Sequence, residues 1–334
     1  MKPVVSILTI TYDRAGVLRE AIESVRAQTY QAWELVIFDD GSTDDTEALV
    51  QRFQKEDPRI RYRKQSHQGV SGVANIRNLG LREARGRFMA FLDDDDVWFP
   101  RKLETEVAYL EQHPEMAFVY TPVHVVGMEG HYQKTRPVSL SASYADLFDG
   151  CFVQISSVVA RKESLLAAGG FDGSLESSRD YDLWLKVARR QPFGYVEEPL
   201  GLYRCHPNSI SSNLERRYRM HLEILSRVPV EPSKGITKER KRKRLAVEAY
   251  HLARLYRGKG NYGEAGHYFQ KSIGYLPTVG RNVCAQKPRG WTLVAQILKP
   301  YAAVLYCLVR SLGQSLMPAR ASEERIPLQG GLLP

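Results

Sequence analysis

The chain has 334 residues, 43% hydrophobic and 25% charged, with a formal net charge of +9. That length exceeds one small core and suits one larger domain plus an appendage, and the composition excludes disorder over most of the chain. Cys151, Cys205, Cys284 and Cys307 are widely spaced with no C-x-x-C pair, which signals neither a zinc site nor a disulfide framework and suits a reducing cytoplasm.

Val4 to Ile10 is β-rich and nearly continuously apolar, as a strand covered on both faces would be. Ser6 and Thr9 interrupt it and no cleavage site of small residues follows, so it reads as a first strand and not a signal peptide. Val17, Leu18, Ala21, Ile22 and Val25 then form one apolar helical stripe. Leu35 to Phe38 predicts a second buried strand, closed by Asp39-Asp40-Gly41-Ser42. Ser42 with Asp45 predicts a helix start, with Asp44 and Asp45 at its positive end. Ile60 to Tyr62 is a weaker strand, and Val73 to Ala84 carries a helical pattern ending at Gly86.

In Phe91-Leu92-Asp93-Asp94-Asp95-Asp96-Val97-Trp98 an apolar run ends abruptly in four carboxylates. Adjacent ionised carboxylates raise one another's pKa and cost stability unless a cation or a solvated turn neutralises them. Phe88 and Ala90 before the run, and Trp98 and Phe99 after it, plant it at the edge of a core, which favours the cation. Open α/β sheets bind ligands at the carboxyl ends of their strands. A hard divalent cation that also bridges substrate phosphates needs one or two such oxygens. Pro100 suits the first position of a helix whose buried stripe is Leu103, Val107 and Leu110 and which ends before Pro114. This alternation of strands and helices predicts a parallel sheet with helices on both faces.

Farther on, Ala117 to Val126 and Val153 to Ala160 read as strands separated by a loop-rich stretch from Gly127 to Ser143. Gly169-Gly170-Phe171-Asp172 is a turn, Asp180 to Arg190 a helix, and Tyr195 to Tyr203 a short strand broken by Pro199. On that helix Asp180 shares the face of Leu183, Trp184 and Val187 and is the candidate positioned base. Asp182 is expected on the opposite face as a solvated charge.

The catalytic-type sequence stops near Asn213, which divides the chain into a domain over 1–215, a helical region over 216–286 and a tail over 287–334. Lys238 to Arg244 holds six positive charges in seven residues, expected as a solvated helix start with no nucleic-acid partner. Leu252, Ala253, Tyr256, Ala265, Phe269 and Pro277 fall at tetratricopeptide offsets, with Lys259 to Tyr262 as the turn. One such unit cannot bury its own apolar face, so an ordinary helical hairpin and a protein-binding repeat both stay open.

The segment 291–317 is the most apolar of the chain, broken by Lys299-Pro300 and Arg310. A spanning helix needs about 20 predominantly apolar residues. The expectation here is peripheral contact with the cytoplasmic face of a membrane, Lys287, Arg289, Lys299 and Arg310 meeting headgroups and Trp291, Tyr301 and Tyr306 at the interface. A helix buried on the hairpin is the soluble alternative.

The turn after the first strand, Thr11-Tyr12-Asp13-Arg14, has no glycine, so neither a P-loop nor a G-x-G-x-x-G follows it. This argues against a kinase, an NTPase, a dinucleotide-dependent dehydrogenase and a nucleotidyltransferase.

Taken together these residues resemble the inverting glycosyltransferases of family two, which have the GT-A fold. Val4 to Arg14 resembles that family's first strand and turn, and Phe38-Asp39-Asp40-Gly41-Ser42-Thr43-Asp44 its DDGSTD segment. Arg77-Asn78 resembles its RN, Phe91 to Asp96 its FLDxDD, Gly169 to Asp172 its GGFD, and Asp180-Tyr181-Asp182-Leu183-Trp184 its DYDLW. Tyr203-Arg204-Cys205-His206 with Ser209 resembles the closing YRxHxxS. The resemblance covers roughly residues 3–213.

It implies a Rossmann-like GT-A fold with a mixed, mainly parallel sheet and flanking helices, followed by an α-helical C-terminal region. It implies a nucleotide-diphospho-sugar donor, uridine-based by preference, and a glycan or lipid-linked acceptor. Thr9, Tyr12, Asp40 and Arg77 would line the nucleotide pocket, with Asp93 or Asp94 near the ribose. Asp95 with Asp93, and His206 as a further candidate, would hold Mn²⁺ or Mg²⁺. Asp180 would be the base. Arg179 departs from the family, standing where relatives usually have Glu, and it should favour ionised Asp180 unless it faces solvent. No QxxRW follows the base, so one sugar per acceptor is expected. The rival reading is a non-catalytic adaptor on the same fold whose helical tail binds a partner protein.

Overall fold

The computed structural model of the chain describes residues 2–127, 130–136, 143–206 and 212–275. Its elements run β1 (Val5–Thr11), α1 (Ala15–Arg26), β2 (Trp33–Asp39), α2 (Thr46–Glu56), β3 (Ile60–Lys64), α3 (Gly69–Glu83), β4 (Phe88–Phe91), β5 (Val97–Trp98) and α4 (Lys102–Gln112). There follow β6 (Phe118–Tyr120), β7 (Val123–Gly127), β8 (Tyr132–Arg136), α5 (Tyr144–Asp149), β9 (Val158–Arg161), α6 (Lys162–Ala167), α7 (Arg179–Ala188), β10 (Gly194–Tyr195), β11 (Gly201–Cys205), α8 (Leu214–Arg227), α9 (Lys238–Gly258) and α10 (Tyr262–Tyr275).

Among the described residues the strands make two sheets. The larger runs β10-β6-β9-β4-β1-β2-β3 and the smaller β5-β11-β7-β8. β4, β1, β2 and β3 are parallel, as the alternation predicts, while β9 runs antiparallel to both β4 and β6. The sheet is therefore mixed and mainly parallel. The largely apolar runs of β1 and β2 follow from burial on both faces, where each large apolar side chain that leaves water contributes roughly 1.5–3 kcal/mol. α1 covers one face with Leu18, Ala21, Ile22 and Val25, the predicted stripe.

Four local expectations are corrected. The stretch from Ala117 to Val126 is two strands in different sheets, because Pro122 cannot donate to a ladder and breaks the run. The stretch from Gly127 to Ser143 is not all loop, since β8 pairs antiparallel with β7. Ser42 does not cap α2. Its hydroxyl accepts the Asp13 N–H at 2.9 Å, Asp44 receives the Thr46 N–H, and Asp45 at the cap position makes no side-chain bond. The basic run of α9 is not wholly solvated: Arg240 donates to Asp149 at 2.6 Å and Lys241 to the Ser226 carbonyl at 2.7 Å.

The chain divides into two compact units, Met1–Leu245 and Ala246–Pro334. In the second, α10 folds back on α9, burying Leu252, Ala253, Ala265 and Phe269. The Ser272 hydroxyl donates to the Ala246 carbonyl at 2.8 Å. Pro277, Ser209 and the whole segment 291–317 lie outside the described residues. Among the described residues no helix is long and apolar enough to cross a membrane.

Candidate functional site

The parallel strands β4, β1 and β2 deliver Asp93, Tyr12 and Asp40 to one end of the sheet, because each strand's carboxyl end opens into its following loop. Thr9 lies in the buried part of β1. Asp40 is buried and its carboxylate is fully engaged: Oδ1 accepts the Gln68 N–H at 3.0 Å and Gln65 Nε2 at 3.1 Å, and Oδ2 accepts the Gly69 N–H at 2.9 Å. It thereby pins the loop between β3 and α3, which carries His67. The His67 ring stacks on Tyr12 at 4.0 Å between centroids, and Tyr12 keeps 42% of its surface exposed. Gly41 allows this approach, since its φ of 87° and the His67 backbone leave no room for a side chain. Sequence reasoning missed His67, which no motif marks.

The four carboxylates after β4 have four different environments. Asp93 accepts from Arg77 at 3.2 Å. Loss of solvent pushes its carboxyl up, Arg77 opposes this, and the charges of Asp95 and Asp180 add to it. Asp94 and Asp95 share one guanidinium, Arg14 Nη1 lying 3.0 Å from Asp94 Oδ1 and 2.9 Å from Asp95 Oδ2. Desolvation pushes Asp94 up to about 7, against the pull of Arg14. His206, brought back by β11, places Nε2 3.1 Å from Asp95 Oδ2 and 3.4 Å from Arg14 Nη2. Asp96 is fully buried and accepts the Arg204 N–H at 3.0 Å. It is a structural brace between the acidic turn and β11. From its place before Pro100 alone Asp96 would be a turn or helix-start residue whose substitution matters least; its burial and its bond to Arg204 give it a larger part.

Arg14 is a second residue that sequence reasoning passed over. Among the described residues no group of three or more His, Cys, Asp or Glu is arranged to enclose a metal by itself. Yet two carboxylates and an imidazole converge on the Arg14 guanidinium, a positive charge held where hard oxygen donors meet. Asp94, Asp95 and His206 are donors of the kind that would suit a divalent cation.

The opposite wall is set by the Gly169-Gly170 turn and α7. Asn78 clamps the turn from α3, donating to the Phe171 carbonyl and accepting the Phe171 N–H, both at 2.8 Å. Gly170, at φ 70°, leaves no space for a Cβ beside Asn78. Arg77, the neighbour of Asn78, crosses the Phe171 ring at 5.3 Å. Asp180, in the first turn of α7, is part-exposed and makes no hydrogen bond or ion pair among the described residues. Asp182, expected as a solvated charge, is only 5% exposed and pairs with Lys186 Nζ at 2.6 Å. Nearly all of α7 is buried, including Tyr181, Leu183, Trp184, Leu185 and Val187, so helical period does not separate a wet face from a dry one. Arg179 is 4% exposed and does not face solvent.

The family model for glycosyl transferase family 2 matches residues 6–166. The putative teichuronic acid biosynthesis glycosyltransferase TuaG of Bacillus subtilis is 31% identical over 64% of this chain and 83% of its own. WfgD of Escherichia coli, a UDP-Glc:alpha-D-GlcNAc-diphosphoundecaprenol beta-1,3-glucosyltransferase, is 30% identical over 66% of this chain and 85% of its own. The chain spans about a third of the length of the glycosyltransferases it matches in Rickettsia bellii, R. conorii and R. felis. Among solved structures, S. aureus TarS 1-349 with UDP-GlcNAc superposes with a TM-score of 0.64 at 17% identity, covering 96% of this chain and 93% of that one. The mannosyltransferase PcManGT of Pyrobaculum calidifontis with GDP-Man and Mn²⁺ gives a TM-score of 0.58 at 18% identity, covering 95% and 88%. The structural likeness gives the GT-A fold. With the sequence match running from β1 to α6 and across most of TuaG and WfgD, the chain belongs to glycosyltransferase family 2.

Proposed function

We propose that the protein is a metal-dependent inverting enzyme that moves one sugar per acceptor from a nucleotide-diphosphate donor, a UDP-sugar, to a hydroxyl of a glycan or lipid-linked acceptor. One observation carries this reading: after β4, Asp95 meets His206 at 3.1 Å and Asp93 meets Arg77 at 3.2 Å, and the charge of Asp180, which has no hydrogen bond or ion pair among the described residues, reaches Asp93 although about ninety residues separate them. WfgD, named for UDP-Glc and a diphosphoundecaprenol acceptor, supports uridine and a lipid-linked acceptor. The TarS complex with UDP-GlcNAc supports uridine, and Mn²⁺ in PcManGT supports a divalent cation.

In this reading Tyr12 and His67 offer a stacking surface to the base. Thr9 and the loop pinned by Asp40 wall the nucleotide pocket, and Arg77, Asp93 and Asp94 lie toward the ribose and diphosphate. Asp95 and His206 would hold Mn²⁺ or Mg²⁺ in place of the Arg14 guanidinium, with Asp93, which faces Arg77, as the further carboxylate. The bound metal supplies charge neutralisation for the departing diphosphate. Asp180 takes the proton of the acceptor hydroxyl as its oxygen bonds to the anomeric carbon and the bond to the diphosphate breaks on the opposite face. One displacement inverts that centre. The peripheral membrane contact through 291–317 and a protein partner for the helical tail belong to the same proposal and rest on composition alone.

With Mn²⁺ and a panel of UDP-, GDP- and dTDP-sugars the protein should release nucleoside diphosphate. Asp180→Asn should cut turnover about 10²–10⁴-fold, the usual contribution of a general base, while donor-dependent thermal stabilisation persists. Absence of stabilisation by every nucleotide tested would leave the adaptor reading standing instead.

A further inference from the structure

Beside the base, and not absorbed by the donor chemistry, lies a cavity of about 260 Å³ lined by Val70, Ser71, Leu175, Glu176, Arg179 and Arg216 among others. Arg179 is the unusual member. Its Nη2 donates to the Val70 carbonyl at 2.9 Å, but its Nε is buried without a hydrogen-bond partner. No carboxylate among the described residues lies within ion-pair distance of it. Burial first, and then the charges of Arg77 and Arg216, push its pKa down to about 10, against the pull of Asp180 and Glu176. A guanidinium so placed is short of one negative charge.

Two further features have the same sign. Arg216 approaches the cavity from α8 and its nearest carboxylate, Glu176, stands 4.0 Å away with 67% of its side chain in solvent, a weak neutraliser. Ser178, at the N-cap of α7, has φ 55° and gives no side-chain cap, so the positive end of that helix is left open. A helix N-terminus alone would not make a site. Here it coincides with a buried arginine whose Nε is unpartnered and which itself lines the cavity.

We propose that this cavity receives an oxyanion carried by the acceptor, a phosphate or a carboxylate near the hydroxyl that accepts the sugar. The inference rests on the reading of Asp180 as the base, because Arg179 and Asp180 are consecutive in one helical turn. Their side chains diverge by roughly 100°, so the anion and the hydroxyl are different parts of one acceptor. Arg179 and Arg216 are thus specificity residues that hold the acceptor, and Arg179 also explains a departure from family pattern that the donor site leaves unused.

The full chain, with Mn²⁺ and whichever donor stabilises it, should be assayed against three acceptors built on one hexose: its 1-phosphate, its uronic acid and its neutral methyl glycoside. One of the two anionic acceptors should exceed the neutral one by about 10–100-fold in kcat/KM, the range of a desolvated charge-assisted hydrogen bond. Which of the two it is distinguishes phosphate from carboxylate. Arg216→Gln should reduce that ratio at least about tenfold, through KM more than kcat. Arg179→Lys, which keeps the charge but not the fork, should reduce it less than Arg179→Gln. Arg216 is partly exposed, so its variant serves even if Arg179→Gln fails to fold. Equal use of the three acceptors by the wild type, or an unchanged ratio in Arg216→Gln, overturns the proposal while donor stabilisation leaves the enzymatic reading intact. Loss of donor stabilisation in the wild type overturns both.

Discussion

Four adjacent aspartates look alike in sequence and are unlike in the fold. Asp93 faces Arg77, Asp94 and Asp95 face Arg14, and Asp96 turns inward to the backbone of Arg204. The run itself announces a charged site at a strand end, but the division of labour depends on which neighbour each carboxylate meets after the chain returns through β11. Asp96→Ala should therefore destabilise the protein by about 1–3 kcal/mol, since the Arg204 N–H would be left buried and unpaired. Thermal unfolding at neutral pH checks this, and an unchanged midpoint would rule out the bracing role. His67 and Arg14 show the same dependence on neighbours. A histidine in a loop and an arginine after a strand carry no local mark; contacts of His67 with Tyr12 and Asp40, and of Arg14 with Asp94, Asp95 and His206, draw them into the site.

Periodicity reads an element well when one face is wet and poorly when none is. α1 carries its predicted stripe because its other face is solvated. α7 is buried nearly all round, so the assignment of Asp180 and Asp182 to dry and wet faces is reversed in the fold. The joint between α2 and β3 offers a test on the scale of elements. Arg59 grips Asp57 through Nε at 2.9 Å and Nη2 at 2.7 Å while stacking over Trp33 at 3.7 Å. Hydrogen bonds from Arg59 hold the Asp57 carboxyl below its ordinary range. A carboxyl whose folded pKa is lowered contributes stability above its unfolded pKa of about 3.9 and loses it as pH falls through the lowered folded value. Asp57→Asn should cost about 1 kcal/mol at pH 7, reduced from a fully buried pair by the partial exposure of Arg59. The difference in melting temperature from wild type should narrow as pH falls from about 3.9 through the lowered folded value. A constant difference across that range would show that the charge is irrelevant.

For the whole molecule, the strand and turn motifs that carry the candidate donor site all fall within Met1–Leu245, and the helical hairpin from Ala246 onward falls in the second compact unit. A nucleotide that binds the first unit stabilises it by mass action, about 2.7 kcal/mol at a hundred times its dissociation constant. Hydrogen exchange with UDP and Mn²⁺ should therefore slow in β1, β2, β4 and α3 and stay unchanged in 250–275. Equal protection of both would mean that they unfold as one.

The amino-acid sequence by itself determined the alternation of strands and helices, the acidic strand end, the GT-A resemblance and the hairpin, because each is written in local patterns of period, turn chemistry and charge. Tertiary structure alone decided the antiparallel insertion of β9 between β4 and β6 and the split of 117–126 between two sheets. It also decided the meeting of Arg14 with Asp94, Asp95 and His206, and the burial of Arg179 with no carboxylate in ion-pair distance among the described residues. These depend on contacts between residues far apart in the chain, and a side chain's solvation and partners follow from where distant elements pack.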